Sequence, residues 1–159
     1  MADSVAETIM QHLQTTLESI TTVNGYENTI DAVQRFQQDG QDPIDGNGIL
    51  LLDGDDIVEG MILAGAYDLV SRRRHVDLVI IGRQDLSVDT RSASEYMNSL
   101  EQDVRKALQV DETRGGVAVN TEETQANETD VQIGMPELRR VIGYDIRYRH
   151  RRTDPTIAG

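Results

Sequence analysis

The chain has 159 residues, 38% of them hydrophobic and 27% charged, with a formal net charge of −13, which is the size and balance of one domain able to bury a useful core. It has no Cys, which excludes a disulfide framework and any thiolate metal site, and an excess of carboxylates disfavours general nucleic-acid binding. With no Trp and one Phe the core must be aliphatic. No apolar run approaches the roughly 18 residues that span a bilayer. The N-terminus is acidic and amphipathic, unlike a leader, so the sequence reads as a cytosolic, unprocessed chain without a membrane partner.

The first element is a helix. Ser4 and Glu7 have capping-box spacing, and Val5, Ile9, Leu13, Leu17 and Ile20 recur as one apolar stripe. Thr21, Thr22 and Asn24-Gly25 end it. A weak strand, of edge character, spans Asn28 to Phe36. Gln37 to Gly48 reads as a loop, Ile49 to Leu52 as a short buried strand, and Asp53 to Gly60 as an acidic turn, so that 37–60 forms an acidic loop region. Met61 to Val70 and Arg74 to Gly82 are the strongest β signals of the middle. Ser71 to Arg74 is either a hairpin turn or a kink in one long strand.

The second helix is marked by Ser92 and Glu95, again with capping-box spacing, and by Ala93, Tyr96, Met97, Leu100, Val104 and Leu108 on one face. Glu101 and Arg105 add an i,i+4 pair. After Gly115-Gly116 a strand covers Val117 to Thr121, a polar loop Thr121 to Thr129, and a returning strand starts at Val131 to Ile133. The last strand, Leu138 to His150, alternates Ile142, Tyr144, Ile146 and Tyr148 with Gly143, Asp145, Arg147 and Arg149, giving one buried and one charged face. Asp154-Pro155 stops it, and 153–159 reads as a frayed tail. The order predicts an α+β fold in one domain with its core over about 4–150: an antiparallel or mixed sheet, two amphipathic helices packed on one face, and long hairpins with polar tips.

Charge is segregated. Phe36 to Ser71 holds no Lys or Arg but holds Asp39, Asp42, Asp45, Asp53, Asp55, Asp56 and Glu59. Cations, all Arg except Lys106, gather at Arg72, Arg73, Arg74, at Arg139 and Arg140, and at Arg147, Arg149, Arg151 and Arg152. Such blocks suit an acidic face of one copy against a basic face of the next; solvated loops and strand faces are the plainer reading of any single block. Signals for chemistry are sparse. His12, His75 and His150 lack ligand spacing and read as helix-face and strand-end residues. Asp45-Gly46-Asn47-Gly48 starts like a calcium loop but has Ile49 and Leu50 where a ligand and Gly are needed. Neither phosphate-loop nor nucleophile-elbow motifs occur. The expectation is therefore no enzyme, no cofactor and no metal.

The order of elements resembles the bacteriophage tail terminator, or tail-completion, family. The residues that carry the resemblance are Asn24-Gly25-Tyr26-Glu27-Asn28 after the first helix, Val33-Gln34-Arg35, the Ile49–Gly54 run, His75–Gly82 leading into the Thr90–Leu108 helix, and Tyr148-Arg149-His150 with Asp154-Pro155 soon after. The resemblance implies a virion protein of the tail and neck that forms a ring, commonly a hexamer, on the end of the tail tube. Its partners would be copies of itself, the tube protein, a sheath where one exists, and a neck or head-completion protein, with DNA passing through unbound. A second expectation on the same footing is another neck or baseplate component; a third is a small monomeric enzyme or ligand-binding domain. In the ring, Asp53, Asp55, Asp56 and Glu59 would face the lumen or its rim. Arg72, Arg73 and Arg74, or Arg147, Arg149, Arg151 and Arg152, would make subunit or ring-to-ring contacts.

Overall fold

The computed structural model describes residues 2–35, 44–64, 67–126, 130–131 and 137–159. Among these residues seven strands form one mixed sheet: β1 (Ala32–Arg35), β2 (Gly48–Ala64), β3 (Tyr67–Arg83), β4 (Ala118–Ala126), β5 (Asp130–Val131), β6 (Glu137–Arg151) and β7 (Asp154–Ala158). The order is β1-β2-β3-β6-β4, with β5 and β7 also paired to β6. Among these pairings only β1–β2 is parallel. Helices α1 (Val5–Glu18) and α2 (Ala93–Val110) cover one face, so the chain is α+β as the sequence predicts.

The helices form where the apolar spacing places them. Val5, Ile9, Leu13 and Leu17 on α1 and Tyr96, Met97, Leu100, Val104 and Leu108 on α2 are all buried. They pack on the inward positions of the sheet: Ile49 and Leu51, Val76, Leu78 and Ile80, then Ile142, Tyr144, Ile146 and Tyr148. Cross-strand partners share a face, and the register sets Leu51 beside Leu78 and Leu78 beside Ile142, so these positions form one layer. The approach of α2 to the sheet is close at Gly82. A Cβ there would sit 2.6 Å from Met97 Sδ and 3.0 Å from Leu100 Cδ1.

The caps differ between the helices. At α2 both halves of the capping box form: Glu95 N–H donates to Ser92 Oγ and Ser92 N–H to Glu95 Oε2. At α1 only Ser4 caps, accepting from Glu7 N–H at 3.1 Å. The Glu7 carboxylate turns instead to Arg35 of β1, 2.5 Å away. A full cation outcompetes a single backbone amide for a carboxylate. The helix closes at Glu18, and a 3-10 turn over Thr22–Asn24 follows, capped by the Thr21 hydroxyl and ended by Gly25 at φ +87°.

Several sequence expectations change. Asp53 to Gly60 is strand, part of one 17-residue β2 that begins at Gly48, so of the acidic loop expected over 37–60 only 44–47 is loop among the described residues; 37–43 lie outside them. Its carboxylates tolerate a strand because arginines stand opposite on β3. Ser71–Arg74 is not a turn; it lies inside one long strand, β3, opposite a register shift at Val58/Gly60 of β2, and the hairpin pairing runs on to Ala64 and Tyr67. The described end of that hairpin is apolar: Met61, Ile62 and Leu63 are exposed. The polar loop expected from Thr121 continues as β4 to Ala126, because β6 offers it a full edge; 127–129 and 132–133 lie outside the described residues. The 153–159 tail is strand β7 over 154–158, paired with His150 and Arg151. The weak first strand shortens to Ala32–Arg35, with Phe36 outside the described residues.

Candidate functional site

Beyond Val76 the helix-side face of the sheet changes from apolar to charged. Strand alternation keeps Arg72 and Arg74 on the same face as Val76, Leu78 and Ile80. The register places Arg74 beside Asp56 and Ile146, and Arg72 beside Val58 and Tyr148. Arg74 reaches Asp53 at 3.0 Å and Asp56 at 3.3 Å, and Arg72 reaches Asp56 at 3.5 Å. The buried Tyr148 donates its hydroxyl proton to Asp56 Oδ2 at 2.6 Å, and burial above all, then the adjacent carboxylate, pushes that phenol well above its usual range. Asp53 is also 3.5 Å from Arg35, which links the cluster to Glu7 on α1. Arg72 Nε donates to His150 Nε2 at 3.0 Å, while His150 Nδ1 lies 2.8 Å from the Arg151 carbonyl, a pair of contacts that fits the Nδ1–H tautomer.

The open face carries a second network. Arg73 lies 3.4 Å from Glu59 and 3.7 Å from Asp145, and Arg147 lies 3.5 Å from Glu59 and 3.3 Å from Glu122. His75 is its centre. Its Nδ1 is 2.7 Å from Asp145 Oδ1 and its Nε2 is 3.1 Å from Asp77 Oδ1. Only the imidazolium can donate to both carboxylates at once, and the hydrogen bond to Asp145, the largest cause, raises the His75 pKa above its ordinary value. The ring lies over Gly143 and Gly54, whose missing side chains make room; a Cβ on Gly143 would be 3.0 Å from His75 Cε1. Asp55, Ile57, Arg73, His75 and Asp145 line a shallow cleft of ≈ 220 Å³ here.

The structure thus joins groups that the sequence kept apart. Asp53, Asp56 and Glu59 are each bound by arginines of their own chain, at Arg72, Arg73, Arg74 and Arg147. Asp55 is exposed, on the cleft. The basic run 72–74 splits across the sheet, with Arg72 and Arg74 on the helix side and Arg73 on the other. Arg152 is exposed and 3.7 Å from Asp68, Arg151 sits beside Asp154 in the β6–β7 pairing, and Arg149 lies level with Ser71. His75, expected at a strand end, is in mid-strand. Period-two alternation marks both His75 and its partner Asp145 as outward, but the β3–β6 register is what brings them together.

Two further polar clusters tie the helices down. Asp103, buried, accepts from the backbone N–H of Glu27 at 3.2 Å and of Asn28 at 2.8 Å, and from Asn28 Nδ2 at 2.9 Å. Glu101, also buried, pairs with Arg105 and Arg140. At the far end of α2, Arg114 is fully buried at φ +51° and donates to the Leu108 carbonyl at the helix C-terminus. Burial lowers its pKa, and burial followed by that guanidinium lowers His12. Among the described residues no three His, Asp or Glu side chains converge in a way that would hold a metal ion, and no described helix is long and apolar enough to cross a membrane. No family model matches the chain, and no curated protein matches it by sequence.

Proposed function

We propose that the chain is a ring-forming virion component, a phage tail terminator that assembles on the end of the tail tube, stops its growth and joins it to the neck while DNA passes through the lumen. The observation that carries this reading is the β2–β3 hairpin. Its two strands have 17 residues each, and Ile57, Val58, Met61, Ile62 and Leu63 are exposed along its outer half. A clustered apolar surface on a chain of net charge −13 marks a region made to be covered by another protein. The sequence resemblance supplies the kind of partner: neighbouring copies in a hexameric ring, and the tube and neck proteins above and below.

An acidic ring also suits passage of DNA, because a wall rich in carboxylates repels phosphate. Asp55 is the residue of the 53–59 run best placed to act in this way, since Asp53, Asp56 and Glu59 have their charges offset by arginines. The test is light scattering with negative-stain imaging of the purified chain, alone and mixed with tube protein from the same virus. Annular particles, or capping of tubes, are expected. A protein that stays monomeric in both samples and leaves tube length unchanged refutes the reading. The cleft at His75 favours the third expectation, a small monomeric ligand-binding domain; a small molecule that shifts the His75 ring resonances without any assembly would support it.

A further inference from the structure

We propose that neighbouring copies join edge to edge, the outer edge of β4 in one copy pairing antiparallel with the outer edge of β2 in the next, so that the sheets continue around the ring. This rests on the ring reading above and names its subunit contact. The sheet has two uncovered edges among the described residues. One is β4, whose pairing is to β6 alone. The other is the distal part of β2: among the described residues β1 pairs with it from Gly48 to Leu51, and beyond that Asp53, Gly54, Asp55, Ile57 and Val58 are exposed. Leu52 to Val58 is about 23 Å of strand at ~3.3 Å per residue, with a row of backbone donors and acceptors facing outward.

The two edges lie at the same height. Ala118 of β4 pairs with Tyr148, Tyr148 with Arg72, and Arg72 with Val58. Likewise Glu123 leads through Tyr144 and Val76 to Asp53, and Ala126 through Ile142 and Leu78 to Leu51. So Ala118–Ala126 spans the levels of Val58–Leu51 and stops where β1 begins to cover β2. Three successive antiparallel steps also make β4 antiparallel to β2. A copy placed beside another by rotation about an axis along the strands therefore meets it with no vertical offset and in the better-bonded sense. Repeated heterologous contacts of this kind close into a ring when the rotation divides a full turn.

Charge does not oppose the contact as strongly as the sequence suggests. Both edges carry carboxylates, but Asp53 and Asp56 are held by Arg74 and Arg72, Glu122 by Arg147, and Glu123 by Arg105 at 2.7 Å. Two β-bulges, at Asp53/Asp56 and Val58/Gly60, twist the β2 edge and would select a matching partner strand over an arbitrary one.

The chain has no Cys, which allows a direct test. Asp55 and Glu122 are exposed, and both lie at the level of the Asp145–His75 pair on the open face. The doubly substituted chain D55C/E122C is oxidised and run without reductant, beside D55C and E122C alone, with circular dichroism to verify the fold. The expected result is a ladder of linked species from the double variant that collapses on reduction, with little linkage from either single variant. On the unmodified chain, amide exchange should slow with concentration in Leu52–Val58 and Ala118–Ala126 together. A linked dimer from D55C alone would show β2 pairing with itself and overturn the proposal. So would a double variant that stays unlinked while exchange in the two segments is unchanged by concentration. If annular particles are imaged in that same sample, the ring reading stands and only this contact falls.

Discussion

Replacing Asp103 by Ala tests the polar joint between α2 and the Glu27–Asn28 segment most sharply. The carboxylate is 3% exposed and receives three hydrogen bonds from residues 75 or 76 positions away, at Glu27 N, Asn28 N and Asn28 Nδ2. Truncation leaves the Asn28 N–H without an acceptor in a buried site, and one proton of its amide as well; the other amide proton still reaches Ser99 Oγ at 2.7 Å. At about 1–3 kcal/mol for each buried donor left unmade, and less for the half-exposed Glu27, the loss is about 3–4 kcal/mol. For a chain of this length that is a fall of roughly 6–16 °C in Tm. D103N keeps the shape and one acceptor and should fall between D103A and the parent. Urea denaturation followed by circular dichroism gives both values. A D103A variant within 1 kcal/mol of the parent would mean that water reaches these amides, and the joint would then be incidental to stability.

Removing the buried carboxylate in E101A takes one partner each from Arg140, which keeps Asn98, and Arg105, which keeps Glu123, and should cost about 1–3 kcal/mol by the same denaturation assay, while E101Q should cost less. The histidines should titrate in opposite directions in one NMR series, His75 above about 6.5 and His12 below it. His75 then stabilises the fold fully below its unfolded pKa, and that contribution is lost as pH rises through the higher folded value; H75Q should flatten the stability–pH curve in that window. G143A places a Cβ 2.6 Å from Thr124 Oγ1 and 3.0 Å from His75 Cε1, so it should destabilise by about 1–3 kcal/mol and shift the His75 titration, read in the same spectra.

Local patterns in the sequence carried the helices and the layer order. Ser92 with Glu95, and the stripes from Val5 and from Tyr96, fix α1 and α2 without reference to anything distant. The alternation from Ile142 to Tyr148 fixes β6 in the same way. The outer half of β2 was hidden because Asp53, Gly54, Asp55 and Asp56 are turn formers by local propensity; the arginines of β3 that make them acceptable in a strand are known to be opposite only once the register is set. The same limit concealed the His75 centre. Asp145 and His75 are 70 residues apart, and each alone looks like a solvated strand residue. Burial of Asp103 and Glu101 was illegible too, since both sit beside the apolar stripe of α2 and their partners come from other elements.

The segregated charge of the sequence has a different meaning once the sheet is formed. Blocks of opposite sign separated along the chain are brought side by side on β2, β3 and β6, so the contacts that looked available to a second copy are already made within the first. Ion pairs at 3.0–3.7 Å lie well inside a Debye length of about 10 Å at 0.1 M salt, whereas the excess carboxylates of two approaching copies act over that length. Salt should therefore leave the hairpin intact and ease the mutual repulsion of copies with a net charge of −13. Assembly, followed by light scattering between 50 mM and 500 mM salt, should strengthen. Weakening over that range would mean that the arginines of 72–74 or 147–152 exchange their own carboxylates for those of a neighbour when copies meet. The ring would then be held by the charge blocks themselves, and backbone pairing at the sheet edges would be secondary.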